Sequence, residues 1–409
     1  MIQFLSQHHP LQENAPEWFK QRSQEACDLA NQTEAPSLLD ENWRFGSINN
    51  SSLDSYKLAD KQDDAFAPID EQALNVCYSN GYPTKLPSSL PTGLQIVELS
   101  DLIHSNPEQA QSILAEIPHS LGSEQLTLIH RAMQSHGIII IAKQECQAQI
   151  NIHHSIKGDD CVVFPSTIII AEDYAKITVK ETWQSEDAGN QFVVGMLQIS
   201  AKQGASIDYA LKQDLNIQSQ SVQIQDLRAY DHACINHVTA QKGTKWTRQE
   251  TFASMLAEEA QIKLYSANFV ANTTKLDQRT KQWHAKPGAS SNLIYKNVLN
   301  DRAKTIFSGM ILVDQGAHQT SAYQSNRNLL LNDQAEANSM PGLEILADGV
   351  QCSHGSATSS LSDEEIFYLL SRGIPEDKAR HMIAQGFLKQ SLNDLQNDNI
   401  VNFIFPEEV

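Results

Sequence analysis

The chain is predicted to be mainly β, a β-solenoid of the parallel β-helix kind with helical regions at both ends, and three observations predict it. From about residue 136 the apolar runs become short, β-branched and alternating, as in Ile138-Ile139-Ile140-Ile141, Ile168-Ile169-Ile170, Ile177-Thr178-Val179 and Phe192-Val193-Val194. That is the chemistry and the period of strands. Between the runs a short polar turn followed by Ala or Val recurs. The instances are Asp173-Tyr174-Ala175, Gln203-Gly204-Ala205, Asp231-His232-Ala233, Glu258-Glu259-Ala260, Asp301-Arg302-Ala303, Gln315-Gly316-Ala317, Asp333-Gln334-Ala335 and Asp348-Gly349-Val350. Their starts step by 30, 28, 27, 43, 14, 18 and 15 residues, mostly one unit near 15 or two. Units so short cannot bury an apolar face alone and must stack. A small residue just after a polar turn suits an inward corner. The competing fold is a β-sandwich, but the Asn-Gly hairpin signal, Asn80-Gly81, lies outside the repeats.

Three regions follow in order. Residues 1–135 mix helices with polar connections. Trp18, Phe19, Arg22, Ala26 and Leu29 stand at helical spacing between Pro16 and Asn31, and Ala35-Pro36-Ser37 ends that helix. Ser79 to Gly93, with three prolines and two glycines, reads as an exposed linker. Glu108–Ile117 and Ser123–Ser135 read as two more helices, the second closed at Gly137. Residues 136–358 are the β-helix core. Residues 359–409 return to helix: Ser362-Asp363-Glu364-Glu365 is a capping box, and Gly373 closes that helix behind Arg372. Pro375 opens a second helix with Ala379, Met382, Ile383, Gly386 and Phe387 on one face. This pair either caps the solenoid or binds a partner.

Composition narrows the function. With 30 Lys+Arg against 49 Asp+Glu the formal charge is −19, which excludes a general nucleic-acid or anionic-membrane binder. The N-terminus has no basic segment followed by a continuous apolar run, so the expected compartment is the cytoplasm. Six scattered cysteines include no CxxC, and small buried hydrophobes are their plain reading. No P-loop, G-x-S-x-G, H-E-x-x-H, EF-hand or G-x-G-x-x-G motif occurs. His153 and His154 are adjacent, hence on opposite faces of a strand, and read as surface or satisfied histidines. The exception is Cys352-Ser353-His354. Residues i and i+2 of a strand share a face, so a thiolate and an imidazole would project side by side as ligands for iron or a similar metal. A nearby imidazolium would also lower the thiol pKa. A buried Cys beside a hydrogen-bonded His is the plain alternative.

At this segment the sequence is similar to a known family. Pro341-Gly342-Leu343-Glu344-Ile345-Leu346-Ala347-Asp348-Gly349-Val350-Gln351-Cys352-Ser353-His354-Gly355 resembles the signature of the SufB/SufD iron–sulfur cluster assembly proteins. Phe367-Tyr368-Leu369, Ser371-Arg372-Gly373-Ile374, Asn326-Arg327-Asn328-Leu329-Leu330-Leu331 and Glu41-Asn42-Trp43-Arg44-Phe45 also match. The SufB branch carries a cysteine near positions 326–327, which this chain lacks, so the likeness is to the SufD branch. The family usually has Asp-Asp-Val where Asp348-Gly349-Val350 stands, and Gly-Ala-Thr where Gly355-Ser356-Ala357-Thr358 stands.

The resemblance implies a right-handed parallel β-helix between helical ends and a complex of SufB, SufD and two copies of the ABC-type ATPase SufC, with the strand-rich C-terminal ends of the SufB and SufD solenoids paired. It implies a scaffold for de novo cluster assembly, not an enzyme, with a transient Fe–S cluster or iron at the SufB–SufD interface met by His354 and, more weakly, Cys352. The C-terminal helices would dock SufC through Phe367, Tyr368, Arg372 and Phe387, for which ordinary helix packing is the plain alternative. FAD in the assembled complex and a homodimer of the isolated chain stay open. Two rivals remain: a purely structural subunit without a ligand of its own, and a β-helix carbohydrate-active enzyme. The latter needs paired carboxylates. Asp301 and Asp314 are candidates, although solvated turn residues are their better reading.

Overall fold

The computed structural model describes residues 4–5, 14–34, 36–37, 39–46, 52–62 and 73–406. Its centre is a β-solenoid of about eight turns. Four short strands, β1 (Lys57–Leu58), β2 (Leu74–Ser79), β3 (Tyr82–Lys85) and β4 (Leu94–Glu98), come first. The opening coils hold β5 (Ile138–Ala142), β6 (Gln147–Ile156), β7 (Cys161–Val163) and β8 (Ser166–Ala171). Long strands follow: β9 (Lys176–Ser185), β10 (Gln191–Ala201), β11 (Ser206–Leu215), β12 (Gln220–Ala229), β13 (Cys234–Gly243) and β14 (Trp246–Met255). The last coils hold β15 (Gln261–Val270), β16 (Lys275–His284), β17 (Ser290–Leu299), β18 (Lys304–Val313), β19 (Ser321–Leu330), β20 (Glu336–Ile345) and β21 (Gln351–Ser360).

Successive long strands alternate between two sheets. One runs β20-β18-β16-β14-β12-β10-β8-β5-β4 and the other β21-β19-β17-β15-β13-β11-β9-β6-β2-β3. We call them the first and the second sheet. All pairings between solenoid strands are parallel, while β4 on β5 and β3 on β2 are antiparallel at the N-terminal end. One register column reads Val193, Ser221, Thr247, Leu276, Thr305, Ala337, a coil of 26 to 32 residues. The sequence step near 30 is therefore one coil, and the step near 15 one strand with its corner.

The corner alanines sit inside, as their size suggests. Ala175, Ala233, Ala260, Ala303 and Ala317 are all 0% exposed. In the common version the Ala N–H closes a turn onto the carbonyl three residues back, as from Ala175 to Glu172 (3.0 Å) and from Ala233 to Tyr230 (2.9 Å). The residue before each of these has positive φ (60° at Tyr174, 53° at His232).

The lumen changes character along its length. Its N-terminal coils are filled by Ile150, Ile152, Val179, Ile199, Ile207 and similar residues. Toward the C-terminal end amides and hydroxyls that bond across the interior join apolar inward residues such as Leu264, Leu293 and Phe307. Gln213 and Gln223 join Ser221 and Thr247, and Gln249 and Gln278 join Thr239 and Ser266. A run of asparagines, Asn268 to Asn297 (2.7 Å), Asn297 to Asn328 (3.0 Å) and Asn328 to Asn326 (2.8 Å), passes each amide N–H to the next carbonyl. One carboxylate, Glu181, lies in the apolar half. It accepts from Thr167, Trp183 and Tyr209 and stands 3.2 Å from His154.

Of the two readings for the adjacent histidines, surface exposure is excluded, since His153 and His154 are 3% and 4% exposed. His154 is satisfied 3.2 Å from Glu181. Burial drops His153 to about 4, aided by His154 and Lys180. Ser79–Gly93 is not a plain linker: Asn80-Gly81 turns the β2–β3 hairpin with φ of 51° and 83°. The Asn80 amide donates to the carbonyls of Asp60 and Lys157, tying the turn down.

Helices cover the outer faces. In the N-terminal region α1 (Glu17–Gln32), α2 (Leu99–Ser105), α3 (Pro107–Leu114) and α4 (Glu124–Met133) pack on the first sheet, around Phe192, Val194 and Ile139. At the C-terminus come α5 (Asp363–Leu370), α6 (Glu376–Lys389) and α7 (Asp398–Ile404). Ser362 caps α5 by accepting from the Glu365 N–H, and Gly373 takes φ 82°. Helix α6 and the segment through α7 pack on the outer face of the second sheet, where Ala384 and Leu388 meet Val298, and Leu392 and Ile400 meet Tyr265. They lie beside the solenoid and leave the side chains of β21 exposed, so they do not cap it.

Candidate functional site at the open end

The site follows from where the stacking stops. Among the described residues β20 pairs only with β18 and β21 only with β19, so both present a bare edge of backbone N–H and C=O groups. The pairing of β21 runs unbroken from Gln351↔Ser321 to Ser360↔Leu330. The departures from the family pattern around His354 therefore cause no slip in register.

That register fixes the direction of the two candidate ligands. Cys352 pairs with Ala322 and His354 with Gln324, both inward and buried. In a parallel in-register stack the same face continues, so Cys352 and His354 turn into the lumen. Cys352 is half-buried against Ala322, Ala347 and Val350. His354 is exposed because no further coil covers it. The i, i+2 spacing thus brings thiol and imidazole to one face at the mouth, as expected. The expected acidic thiol is not found: burial raises the Cys352 pKa, only partly offset by a hydrogen bond with the Ala322 backbone. A metal ion binding there must displace the proton itself.

Among the described residues no group of three or more His, Cys, Asp or Glu is placed to hold a metal ion. Cys352 and His354 are at most part of a coordination shell, and an iron ion or cluster as cargo would take its remaining ligands from elsewhere. A thiolate and an imidazole suit iron as such a pair.

The four helix residues divide. On α5 Phe367 and Tyr368 are 71% and 55% exposed. Arg372 lies over the Tyr368 ring at 4.7 Å, forming an exposed aromatic–cationic patch. Phe387 is different: it packs against the second sheet with Lys296 over its ring at 4.5 Å, so its surface is largely spent on the fold. The rival pair of carboxylates has ordinary turn roles, Asp301 accepting from the Asn272 N–H and Asp314 from the Trp283 indole.

Sequence reasoning missed the seat of the Glu41-to-Phe45 motif. Trp43 is fully buried beside Trp246, with the Arg248 guanidinium 3.8 Å above its ring. Arg248 donates to Glu250 (2.5 Å), Asp277 (2.6 Å) and the carbonyls of Asn42 and Leu121, while Arg279 bonds Asp277 and the Arg44 carbonyl. Burial works against the Arg248 charge, but Glu250 and Asp277 raise its pKa above the ordinary value. This motif is a clamp holding the N-terminal region on the solenoid. Among the described residues no helix is long and apolar enough to cross a membrane.

Comparison with known proteins places these features. The family model described as "SUF system FeS cluster assembly, SufBD core domain" matches residues 151–387. An iron–sulfur cluster assembly SufBD family protein of Synechocystis is 23% identical over 399 residues, covering 91% of this chain and 87% of that protein. The iron–sulfur cluster assembly protein SufD of Escherichia coli is 31% identical over 176 residues, 43% of this chain and 40% of that protein. The chloroplastic protein ABCI7 of Arabidopsis thaliana is 24% identical over 384 residues, covering 89% and 80% respectively.

Proposed function

The chain belongs to the SufBD family of iron–sulfur cluster assembly proteins, and from that premise we propose that it is the SufD-type subunit of a SufBCD complex. In this reading it is a scaffold and not a turnover enzyme, and it works where its solenoid ends. The observation that carries the reading is the terminal coil: two bare strand edges side by side, with Cys352 and His354 turned into the mouth between them. A SufB solenoid pairing with those edges would complete their hydrogen bonds and bring its own ligands to an iron ion or nascent cluster. His354 is the principal ligand from this chain, and Cys352 the secondary one because burial favours its protonated form.

The ATPase motion enters through the other exposed feature. Phe367 and Tyr368 of α5 and Arg372 in the turn after it form a patch suited to a SufC surface. Helix α5 follows directly on β21, so displacing it pulls on the strand that carries His354. Phe387 contributes by fixing α6 to the second sheet. The setting is the cytoplasm, with no catalytic group required of this chain.

Co-expression with SufB and SufC partners, followed by stoichiometry and by iron and sulfide content, tests the reading. A three-component complex is expected, with His354→Ala lowering cluster yield. A wild-type yield in that variant refutes the ligand role. Recovery of this chain as a lone monomer refutes the complex.

A further inference from the structure

We propose that Gln324 is the positioning residue for His354, holding its imidazole in one tautomer and one orientation over the mouth of the solenoid. The proposal rests on the reading of His354 as a ligand. Gln324 stands directly beneath His354, the two Cα positions being partners across β19 and β21. Their side chains therefore project into the lumen one strand spacing apart, about 4.8 Å.

Gln324 is 0% exposed, and neither its Nε2 nor its Oε1 has a hydrogen-bond partner. Among the described residues it is the one buried amide side chain left unpaired at both atoms. Its neighbours each pair through at least one atom, as Asn268, Asn297 and Asn328 hand one another hydrogen bonds along the same lumen and Asn326 accepts from Asn328. A buried polar group without a partner is destabilising, and such groups in native folds call for a reason.

The opposite wall is cut away for this amide. In β18 the inward positions read Phe307, Gly309, Ile311, and a Cβ on Gly309 would fall on the Gln324 side chain. Gly309 is absent from the residues of positive φ, so glycine is there for space and not for backbone conformation. Gly195 makes the same kind of seat for Trp183, but there the seated side chain is satisfied, its indole N–H reaching Glu181 at 2.8 Å. Gln324 is seated with its amide still free. An imidazole that binds a metal through one nitrogen needs its other nitrogen held, which fixes the tautomer and ring orientation. The Gln324 amide lies across the lumen against Gly309 and makes no hydrogen bond there; rotation of its side chain toward the position above would let it accept from that N–H.

The test uses the full-length chain with ¹⁵N-labelled histidine, reading the ring-nitrogen correlations of His354, assigned by their loss in His354→Ala. One dominant tautomer is expected in the wild type. Gln324→Met, of similar length without hydrogen bonding, should mix the tautomers while leaving far-UV circular dichroism unchanged. Gln324→Glu, which keeps an acceptor, should restore a single form. Gly309→Ala, which crowds the amide from the far wall, should disturb His354 in the same way. In the assembled complex Gln324→Met should weaken ferrous-iron binding about 10- to 100-fold. A His354 signal identical in the wild type and in both Gln324→Met and Gly309→Ala overturns the proposal. If the tautomer responds to Gln324 but His354→Ala binds ferrous iron as the wild type does, the pairing stands and the ligand reading falls.

Discussion

Replacing Arg248 with Met probes how the N-terminal region is held. Met keeps most of the buried stem volume but removes a guanidinium that is 0% exposed and donates to two carboxylates and two backbone carbonyls. The partners are unequally affected. Glu250 still accepts from the Leu121 N–H and the Ser123 hydroxyl but loses its guanidinium, whereas Asp277 keeps Arg279 at 2.6 Å, as short as the contact it loses. The carbonyls of Asn42 and Leu121 lose this donor, and Trp43 its cation. Removing one partner of a buried ion pair typically costs about 3–5 kcal/mol. The loss falls on contacts that join residues 41–46 and 121–124 to β14 and β16, so it should appear there first. Native-state hydrogen exchange at those amides should speed by about two to four decades, at roughly 1.4 kcal/mol per decade. A further variant with Glu250→Gln added to Arg248→Met should recover part of the loss, because one charge left underpaired is neutralised. A cost under about 1 kcal/mol at these amides in the single variant, or a double variant no better than the single, refutes the clamp.

Two other predictions concern the lumen. His237 is fully buried, stacks on Tyr209 and is dropped by burial to about 3, so it is neutral in the fold and charges on unfolding. Its contribution is complete above the unfolded value near 6.5 and is lost as pH falls from there toward 3. Denaturant unfolding of His237→Phe should therefore lose stability less steeply between pH 6 and 4, by up to about 1.4 kcal/mol per pH unit, and an unchanged slope refutes the assignment. Gly195→Ala would drive a Cβ into the Trp183 ring and should cost at least about 1–3 kcal/mol. Gly386→Ala, within α6 and with open space around it, should stabilise by about 0.5–1 kcal/mol. Calorimetry of both variants checks the opposite signs.

The features legible in the sequence were those in which one residue type has one physical reason to be present. Ala233 and Ala260 mark corners because a small apolar side chain is what is buried where the chain turns inward. Ser362 and Gly373 mark the ends of a helix because each completes terminal hydrogen bonds. Cys352 and His354 were assigned to one face by strand periodicity alone, and the register agrees. The polar half of the lumen was not legible. In β16 the inward residues are Leu276, Gln278, Thr280, Gln282 and His284 and the outward ones include Asp277 and Arg279, so the contrast that distinguishes inside from outside disappears. Arg248 and Arg279 read locally as solvated strand charges. Only the approach of residues 41–46, some 200 positions earlier in the chain, makes them interior. The third C-terminal helix, α7, is too short to show a face, and its hold on Tyr265 comes from the far side of the sheet. The seat of Gln324 depends on a glycine in a different strand, which no local pattern reports.

The passage from an oily to a mixed lumen sets a direction for the molecule. Each coil is secured chiefly by the coils next to it, and the Ile-packed coils at the N-terminal end have neighbours on both sides. The final coil, secured from one side only, is the tip of that stack. In the proposed complex, a subunit pairing with this tip would lengthen the stack as well as dock on it, and part of the binding energy would go into ordering Cys352 and His354.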